Sequence, residues 1–126
     1  MSILIVDDEK DIRESLKELL KIAGYDAVTA SSGLEAMECV DRGGIDLILV
    51  DLSMPGMTGQ EFLRNLDGRQ GRPPALVITA LAPWHILDLV KSGVGYLRKP
   101  IDCDLLLGAI KTYMGKEEGN GHKSLG

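Results

Sequence analysis

The chain has 126 residues, the size of one ordinary domain, and 44% of them are hydrophobic, which is enough to build a core. Its formal net charge of −5 argues against nucleic-acid binding by this segment, because the phosphate backbone selects basic surfaces. No apolar run approaches the roughly 20 residues that span a bilayer, and Asp7 and Asp8 interrupt the N-terminal apolar stretch, so neither a membrane span nor a signal peptide is predicted.

Strand-like and helix-like segments alternate along the chain, which is typical of a parallel sheet with helices on both faces. The predicted strands are Ser2–Asp7, Tyr25–Thr29, Ile45–Asp51, Ala75–Thr79 and Tyr96–Arg98. Five helices are predicted around Ile12–Ala23, from Ser32 to Gly43, at about Gly59–Leu66, at about Pro83–Lys91, and from near Asp102 to about Met114. The pattern predicts an α/β fold with a doubly wound five-stranded parallel sheet.

Local signals define several of the predicted boundaries. Ser32 and Glu35 have the spacing of a capping box at the start of the second helix. Asp102 is a suitable N-cap for the fifth helix. Gly115–Gly126 has almost no apolar content, so we expect a folded domain of residues 1–114 followed by a flexible tail or linker stub at 115–126.

The two cysteines, Cys39 and Cys103, fall in predicted helices two and five. These helices should lie on opposite faces of the sheet, so a disulfide or a shared metal site is not expected. Two reduced thiols, and the lack of a signal peptide, predict a cytoplasmic protein.

Side chains with functional chemistry follow the carboxyl ends of the predicted strands. Asp7 and Asp8 follow the first strand, Asp51 ends the third, Thr79 ends the fourth, and Lys99 follows the fifth. In an open parallel sheet, ligands bind just outside these ends, so the five side chains should converge on a single pocket. Such a set suits an aspartate that accepts a phosphoryl group with the help of a divalent metal.

Three neighbouring carboxylates repel one another, and one of them would normally rise in pKa. A divalent cation removes that conflict. Because the candidate ligands are all oxygens, the expected ion is a hard one, and Mg²⁺ is the predicted cofactor.

Four motifs in order carry a family resemblance: Ile5–Glu9, Val50–Gly59, Thr79-Ala80 and Tyr96–Pro100. In these motifs the chain resembles the receiver domain of a two-component response regulator, of the chemotaxis-receiver type. The resemblance implies the flavodoxin-like strand order 2-1-3-4-5. It also implies a signalling switch and not an enzyme, apart from self-phosphorylation and slow self-dephosphorylation of its aspartate.

The resemblance implies roles for the residues of the pocket. Asp51 is the phosphorylated nucleophile, and Lys99 pairs with it before transfer and with a phosphoryl oxygen afterwards. Asp8, Asp51 and the backbone carbonyl of Ser53 bind Mg²⁺ directly, whereas Asp7 acts mostly through a bound water.

The resemblance also identifies a switch pair. Thr79 donates a hydrogen bond to the phosphoryl group, and Tyr96 moves inward when Thr79 is drawn toward it. Lys99 is followed by Pro100, which the resemblance implies is cis. Trp84 is interpreted either as a partner-binding anchor or as packing in the groove beside the fifth strand.

The resemblance implies two kinds of partner. A histidine kinase or a phosphotransfer protein donates the phosphoryl group. A downstream output domain or protein then responds to the face formed by predicted helix four, strand five and helix five, and homodimerisation on phosphorylation stays open. No nucleic acid or membrane is expected to bind this segment directly.

Two departures from the family pattern matter. Thr79 and Lys99 are 20 positions apart, slightly fewer than is usual in the family, which predicts that helix four or its flanking loops are shortened. Ser53 and Leu81, each two residues after a site residue, offer no carboxylate or amide to orient water, which predicts slow self-dephosphorylation.

Three alternative functions remain. A receiver that acts only as a phosphorylation-independent docking module would not need the complete acidic set. An aspartate-based phosphohydrolase would need a second aspartate where this chain has Ser53. A flavodoxin-like cofactor binder would need a phosphate-binding loop after the first strand, where Asp7, Asp8 and Glu9 would repel a phosphate.

Overall fold

A computed structural model of the chain describes residues 2–52, 59–67, 72–80 and 95–122. Five parallel strands form one sheet in the order β2-β1-β3-β4-β5. They are β1 (Ser2–Val6), β2 (Asp26–Ala30), β3 (Ile45–Asp51), β4 (Ala75–Thr79) and β5 (Gly95–Arg98). The predicted α/β fold and the strand order 2-1-3-4-5 are confirmed.

The described residues contain four helices: α1 (Lys10–Ile22), α2 (Gly33–Arg42), α3 (Gly59–Asp67) and a C-terminal helix, Cys103–His122. The predicted helix at Pro83–Lys91 lies outside the described residues. The C-terminal helix continues to His122 and does not end near Met114 as predicted, because Leu106, Ile110 and Met114 anchor the preceding turns to the sheet and its extension needs no new nucleation. The division into a domain of residues 1–114 and a tail stays a prediction.

Helices cover both faces of the sheet. Leu16 and Leu20 of α1, one turn apart, pack with Leu106 and Ile110 of the C-terminal helix over one face. On the other face, α2 and α3 contribute Ala36, Met37, Phe62, Leu63 and Leu66 to a second apolar cluster. The central strand β3 is buried on both sides from Leu47 onward, as its unbroken apolar sequence predicted.

The predicted helix caps are present. The Ser32 hydroxyl accepts the Glu35 N–H at 3.1 Å, and the Asp102 carboxylate accepts the Leu105 N–H at 3.1 Å. The Glu35 carboxylate accepts the backbone N–H and the hydroxyl of Ser31 at 2.7 and 2.9 Å, and these hydrogen bonds lower the pKa of Glu35. The turn between β2 and α2 is therefore held by side chains as well as by backbone.

The cysteines lie on opposite faces of the sheet, as predicted. Cys39 is buried on the inner side of α2, and Cys103 is exposed at the start of the C-terminal helix; both are free thiols. Among the described residues, no helix combines the length and the apolar character that crossing a membrane requires.

Gly95 in β5 lies directly under the C-terminal helix. A Cβ at this position would overlap the Tyr113 hydroxyl and would lie 2.9 Å from Leu76 Cδ1. We expect Gly95→Ala to lower the free energy of unfolding by about 1–3 kcal/mol, the usual cost of overpacking. Urea denaturation measures this change.

Gly108 is the matched control, because a Cβ there would meet no atom within 4 Å. Gly108 lies inside the C-terminal helix, where alanine is favoured over glycine by about 1 kcal/mol, so Gly108→Ala should raise the free energy of unfolding. Equal effects of the two substitutions would contradict the packing of β5 against Tyr113.

Candidate functional site

The sheet places the predicted site residues at one edge. Residues Val6 and Val50 are paired between β1 and β3, so that Asp7 and Asp51 follow them side by side. Asp51 pairs with Ile78 of β4, and Thr79 pairs with Arg98 of β5, which brings Thr79 and Lys99 to the same edge. The predicted convergence of the strand ends is observed.

Three carboxylates form a cluster at this edge. Ligand oxygens of Asp7, Asp8 and Asp51 all lie within 4.8 Å of one another. Asp7 and Asp51 are buried, with 4% and 6% exposure, whereas Asp8 is exposed. Asp8 therefore lies on the side of the cluster that is open to solvent.

Lys99 provides a positive charge next to this cluster. Its Nζ lies 3.4 Å from Oδ2 of Asp51 and 3.7 Å from Oδ2 of Asp7. The Lys99 backbone N–H donates to the Thr79 carbonyl at 2.7 Å, and the peptide bond to Pro100 is cis, as the resemblance implied. The Lys99 ammonium thus faces two of the three carboxylates and offsets part of their negative charge.

Asp7 is tied to its surroundings through both its backbone and its side chain. Its N–H donates to the Ala30 carbonyl at 3.2 Å, and its Oδ1 accepts the Glu9 N–H at 2.9 Å. Its own carbonyl accepts a hydrogen bond from Nη1 of Arg13 at 2.8 Å. These bonds orient the loop from β1 to α1.

The pKa of Asp7 is raised, mainly by burial and further by the negative charges of Asp51 and Asp8; the Glu9 N–H and the Lys99 ammonium oppose the rise. Because the folded-state pKa lies above the unfolded value, the Asp7 charge costs stability at neutral pH. This cost is relieved as the pH falls through the raised pKa. A bound cation relieves it as well.

The donor set fits a hard divalent cation. The cluster offers only carboxylate oxygens, which are the ligands that Mg²⁺ prefers. The acidic cluster of Asp7, Asp8 and Asp51 is therefore suited to hold Mg²⁺. Ser53, whose carbonyl was predicted as a further ligand, lies outside the described residues.

The predicted switch residues lie on adjacent strands. Thr79 is fully buried at the end of β4. Tyr96 is half-buried, pairs with Val77 of β4, and packs against the apolar cluster beneath α2 and α3. Leu81 and Trp84 lie outside the described residues.

Arg13 was missed by the sequence-based predictions. Its guanidinium contacts the acidic loop through the Asp7 carbonyl, although six positions separate the two residues. A basic residue in the first turns of a helix that begins next to an acidic pair is the signal that could have identified it.

Comparisons with known proteins agree with this geometry. The family model described as response regulator receiver domain matches residues 3–111. Sporulation initiation phosphotransferase F of Bacillus subtilis is 32% identical over 114 residues, covering 89% of this chain and 92% of that protein. Response regulator MprA of Mycobacterium leprae is 35% identical over 90% of this chain, but the chain spans only 51% of MprA.

A solved structure is also similar. Response regulator protein TrrA of Thermotoga maritima, determined in complex with Mg²⁺ and BeF, superposes with a TM-score of 0.80 at 34% sequence identity, over 89% of this chain and 97% of that one. The likeness therefore extends across nearly the whole of both chains.

Proposed function

Because the chain belongs to the response regulator receiver family, we propose that it is a phosphoacceptor switch in which Asp51 takes a phosphoryl group from a histidine kinase or phosphotransfer protein. The observation that carries this proposal is the position of the Asp51 carboxylate. It ends the central strand, shares a cluster with Asp7 and Asp8, and lies 3.4 Å from the Lys99 ammonium.

The proposed reaction is a displacement at phosphorus. A carboxylate oxygen of Asp51 attacks the phosphorus of a phosphohistidine, the P–N bond breaks with its electrons left on the imidazole, and an aspartyl phosphate forms. After the transfer, the Lys99 ammonium would pair with a phosphoryl oxygen in place of the Asp51 carboxylate. The Thr79 hydroxyl would donate a hydrogen bond to another phosphoryl oxygen.

Mg²⁺ would be held directly by Asp8, Asp51 and the Ser53 carbonyl, with Asp7 acting mostly through water. When bound, Mg²⁺ would neutralise part of the negative charge on the phosphoryl oxygens during the transfer. The burial and hydrogen bonds of Asp7 support its indirect role, because its Oδ1 already accepts the Glu9 N–H. The exposure of Asp8 supports a direct one.

The proposed output is a change in protein–protein contact on the side of β5 and the C-terminal helix. The Lys99 N–H to Thr79 carbonyl bond and the pairing of β4 with β5 link the site to that side. The name of the Bacillus subtilis relative, a phosphotransferase, supports phosphoryl transfer as the chemistry. A partner protein, or an output domain of a longer chain, would respond to that change.

The proposal predicts Mg²⁺-dependent labelling by a small phosphodonor. Incubation with acetyl phosphate and Mg²⁺ should add one phosphoryl group by intact mass, and excess chelator should prevent it. Asp8→Ala should slow labelling at least tenfold, the usual scale for loss of a metal-site residue, and more than Asp7→Ala does.

Asp11→Ala is the control, since this exposed carboxylate lies in the first turn of α1 and outside the cluster. It should be labelled like the wild type. Equal labelling with and without chelator would refute the metal's role, and an unlabelled wild type would favour a docking module that works without phosphorylation.

A further inference from the structure

Arg13 connects helix α1 to the loop that carries the acidic pair. Its backbone N–H donates to the Glu9 carbonyl at 3.0 Å, which places the residue in the first turns of the helix. Its half-buried side chain turns back, and Nη1 donates to the Asp7 carbonyl at 2.8 Å. A hydrogen bond from a charged donor is stronger than a neutral one, so this contact is suited to hold a backbone group in place.

The carbonyl that Arg13 holds is the one that matters for Asp8. It belongs to the planar peptide group that joins Asp7 to Asp8. The direction of this carbonyl therefore fixes the positions of the Asp8 nitrogen and Cα. The Asp7 N–H is held by the Ala30 carbonyl, and the Asp7 carboxylate contacts the Glu9 N–H and the Lys99 ammonium. With Arg13 in place, each hydrogen-bonding backbone group of Asp7 has a partner, and the position of Asp8 follows from a fixed peptide plane.

Arg13 also lies near the neighbouring loop. Its charge helps to lower the pKa of Glu35, after the larger effect of the hydrogen bonds from Ser31. Glu35 and Ser32 hold the turn that follows β2, and β2 ends at Ala30, which accepts the Asp7 N–H. Arg13 therefore bonds to one loop at the carboxyl edge of the sheet and acts electrostatically on the next.

We propose that Arg13 is a positioning residue for the divalent cation site, because its guanidinium holds the Asp7–Asp8 peptide where Asp8 and Asp51 can share one cation. This inference rests on the proposed function. Two effects of Arg13 on cation binding have opposite signs, which makes the role testable. Its positive charge repels a cation, whereas its hydrogen bond places a ligand.

Loss of charge alone would therefore strengthen Mg²⁺ binding, and loss of positioning would weaken it. Arg13→Gln removes the charge and shortens the donor. Arg13→Lys keeps the charge and one donor, but lacks the planar fork of the guanidinium. Lys17→Gln removes a positive charge from the exposed side of the same helix, one turn further on, and serves as the matched control.

The experiment measures the Mg²⁺ dissociation constant of the wild type and of each variant by amide chemical shifts, with urea unfolding of each protein alongside. We expect Arg13→Gln to bind Mg²⁺ about tenfold more weakly, as for residues that orient metal ligands. Arg13→Lys should be intermediate. Lys17→Gln should stay within about twofold of the wild type, because exposed charges are screened.

Labelling by acetyl phosphate gives a second measurement. The Mg²⁺ concentration for half-maximal labelling of Arg13→Gln should rise by the same factor as the dissociation constant, while the maximal rate changes less. A merely structural role would lower the urea midpoint without moving this concentration. Should Arg13→Gln not fold, Arg13→Lys decides: an affinity weaker than that of the wild type supports positioning, and an equal one overturns it.

The failures of the two proposals are distinguishable. If the wild type binds Mg²⁺ and is labelled, but Arg13→Gln binds it equally well or more tightly, only the positioning role is lost. If the wild type neither binds Mg²⁺ nor is labelled, the proposed function fails, and the role of Arg13 fails with it.

Discussion

Asp51→Asn should abolish phosphorylation by acetyl phosphate, lowering the labelling rate by more than about 100-fold, as removal of a nucleophile does in covalent catalysis. The amide has nearly the shape of the carboxylate, but it is a poor nucleophile and cannot form an acyl phosphate. Asp51 is buried beside Asp7, so the substitution also removes a repulsion between like charges. The variant should therefore fold, which urea denaturation checks.

Asp46→Asn is the matched control on the same strand. Asp46 lies near the opposite end of β3 from Asp51, where its carboxylate accepts the Ser2 N–H at 2.8 Å and takes no part in the acidic cluster. It should be labelled at the wild-type rate. An acid-stable, base-labile adduct that forms fully on Asp51→Asn would show that another residue is the acceptor.

The ends of the strands could be predicted because each buried apolar run stops at a polar residue of the site. From Leu47 in β3 and from Ala75 in β4, continuous apolar runs stop at Asp51 and Thr79, and the predicted bounds of both strands match the observed ones. Parallel pairing then requires the ends to meet, so the cluster of Asp7, Asp8 and Asp51 and its contact with Lys99 follow from topology.

Contacts that depend on a particular rotamer could not be predicted this way. Arg13 is one of several charged residues on α1, and only the path of its side chain shows that it binds the Asp7 carbonyl. The difference in exposure between Asp7 and Asp8 could not be predicted either. The two residues are adjacent and of the same type, so only the backbone path of the loop decides which side chain is buried.

The C-terminal helix was misjudged for a different reason. Its last turns contain Gly115, Gly119 and Gly121, and composition alone favours disorder there. Helix continuation depends also on the turns before it, where Leu106, Ile110 and Met114 anchor the helix to the sheet and remove the cost of nucleation.

Thr79→Val should uncouple the site from β5 while leaving it able to bind a phosphoryl mimic. Valine keeps the β-branched shape that fills this fully buried position, but it lacks the hydroxyl that is proposed to bind a phosphoryl oxygen. A hydrogen bond to a charged group contributes about 1.5–3 kcal/mol. Its loss should therefore lower the equilibrium constant for the activated conformation of the mimic-bound protein by roughly tenfold or more.

The measurement is the set of amide shifts of Gly95–Arg98 on addition of beryllofluoride and Mg²⁺. These residues are the right reporters because β5 pairs with β4 and the Lys99 N–H bonds to the Thr79 carbonyl at 2.7 Å. In the wild type the shifts should spread from the loops of Asp8 and Asp51 into β5. In Thr79→Val they should stay largely in those loops, because the mimic still contacts Lys99.

Thr79→Ser is the matched control, since it keeps the hydroxyl and loses only a methyl group. It should transmit most of the wild-type change in β5, at a cost in stability of about 1 kcal/mol for the buried methyl. Equal transmission by Thr79→Val and Thr79→Ser would remove the hydroxyl from the switch. If the wild-type shifts themselves never reach Tyr96, phosphorylation does not remodel this face, and a passive phosphate store becomes the better account of the site.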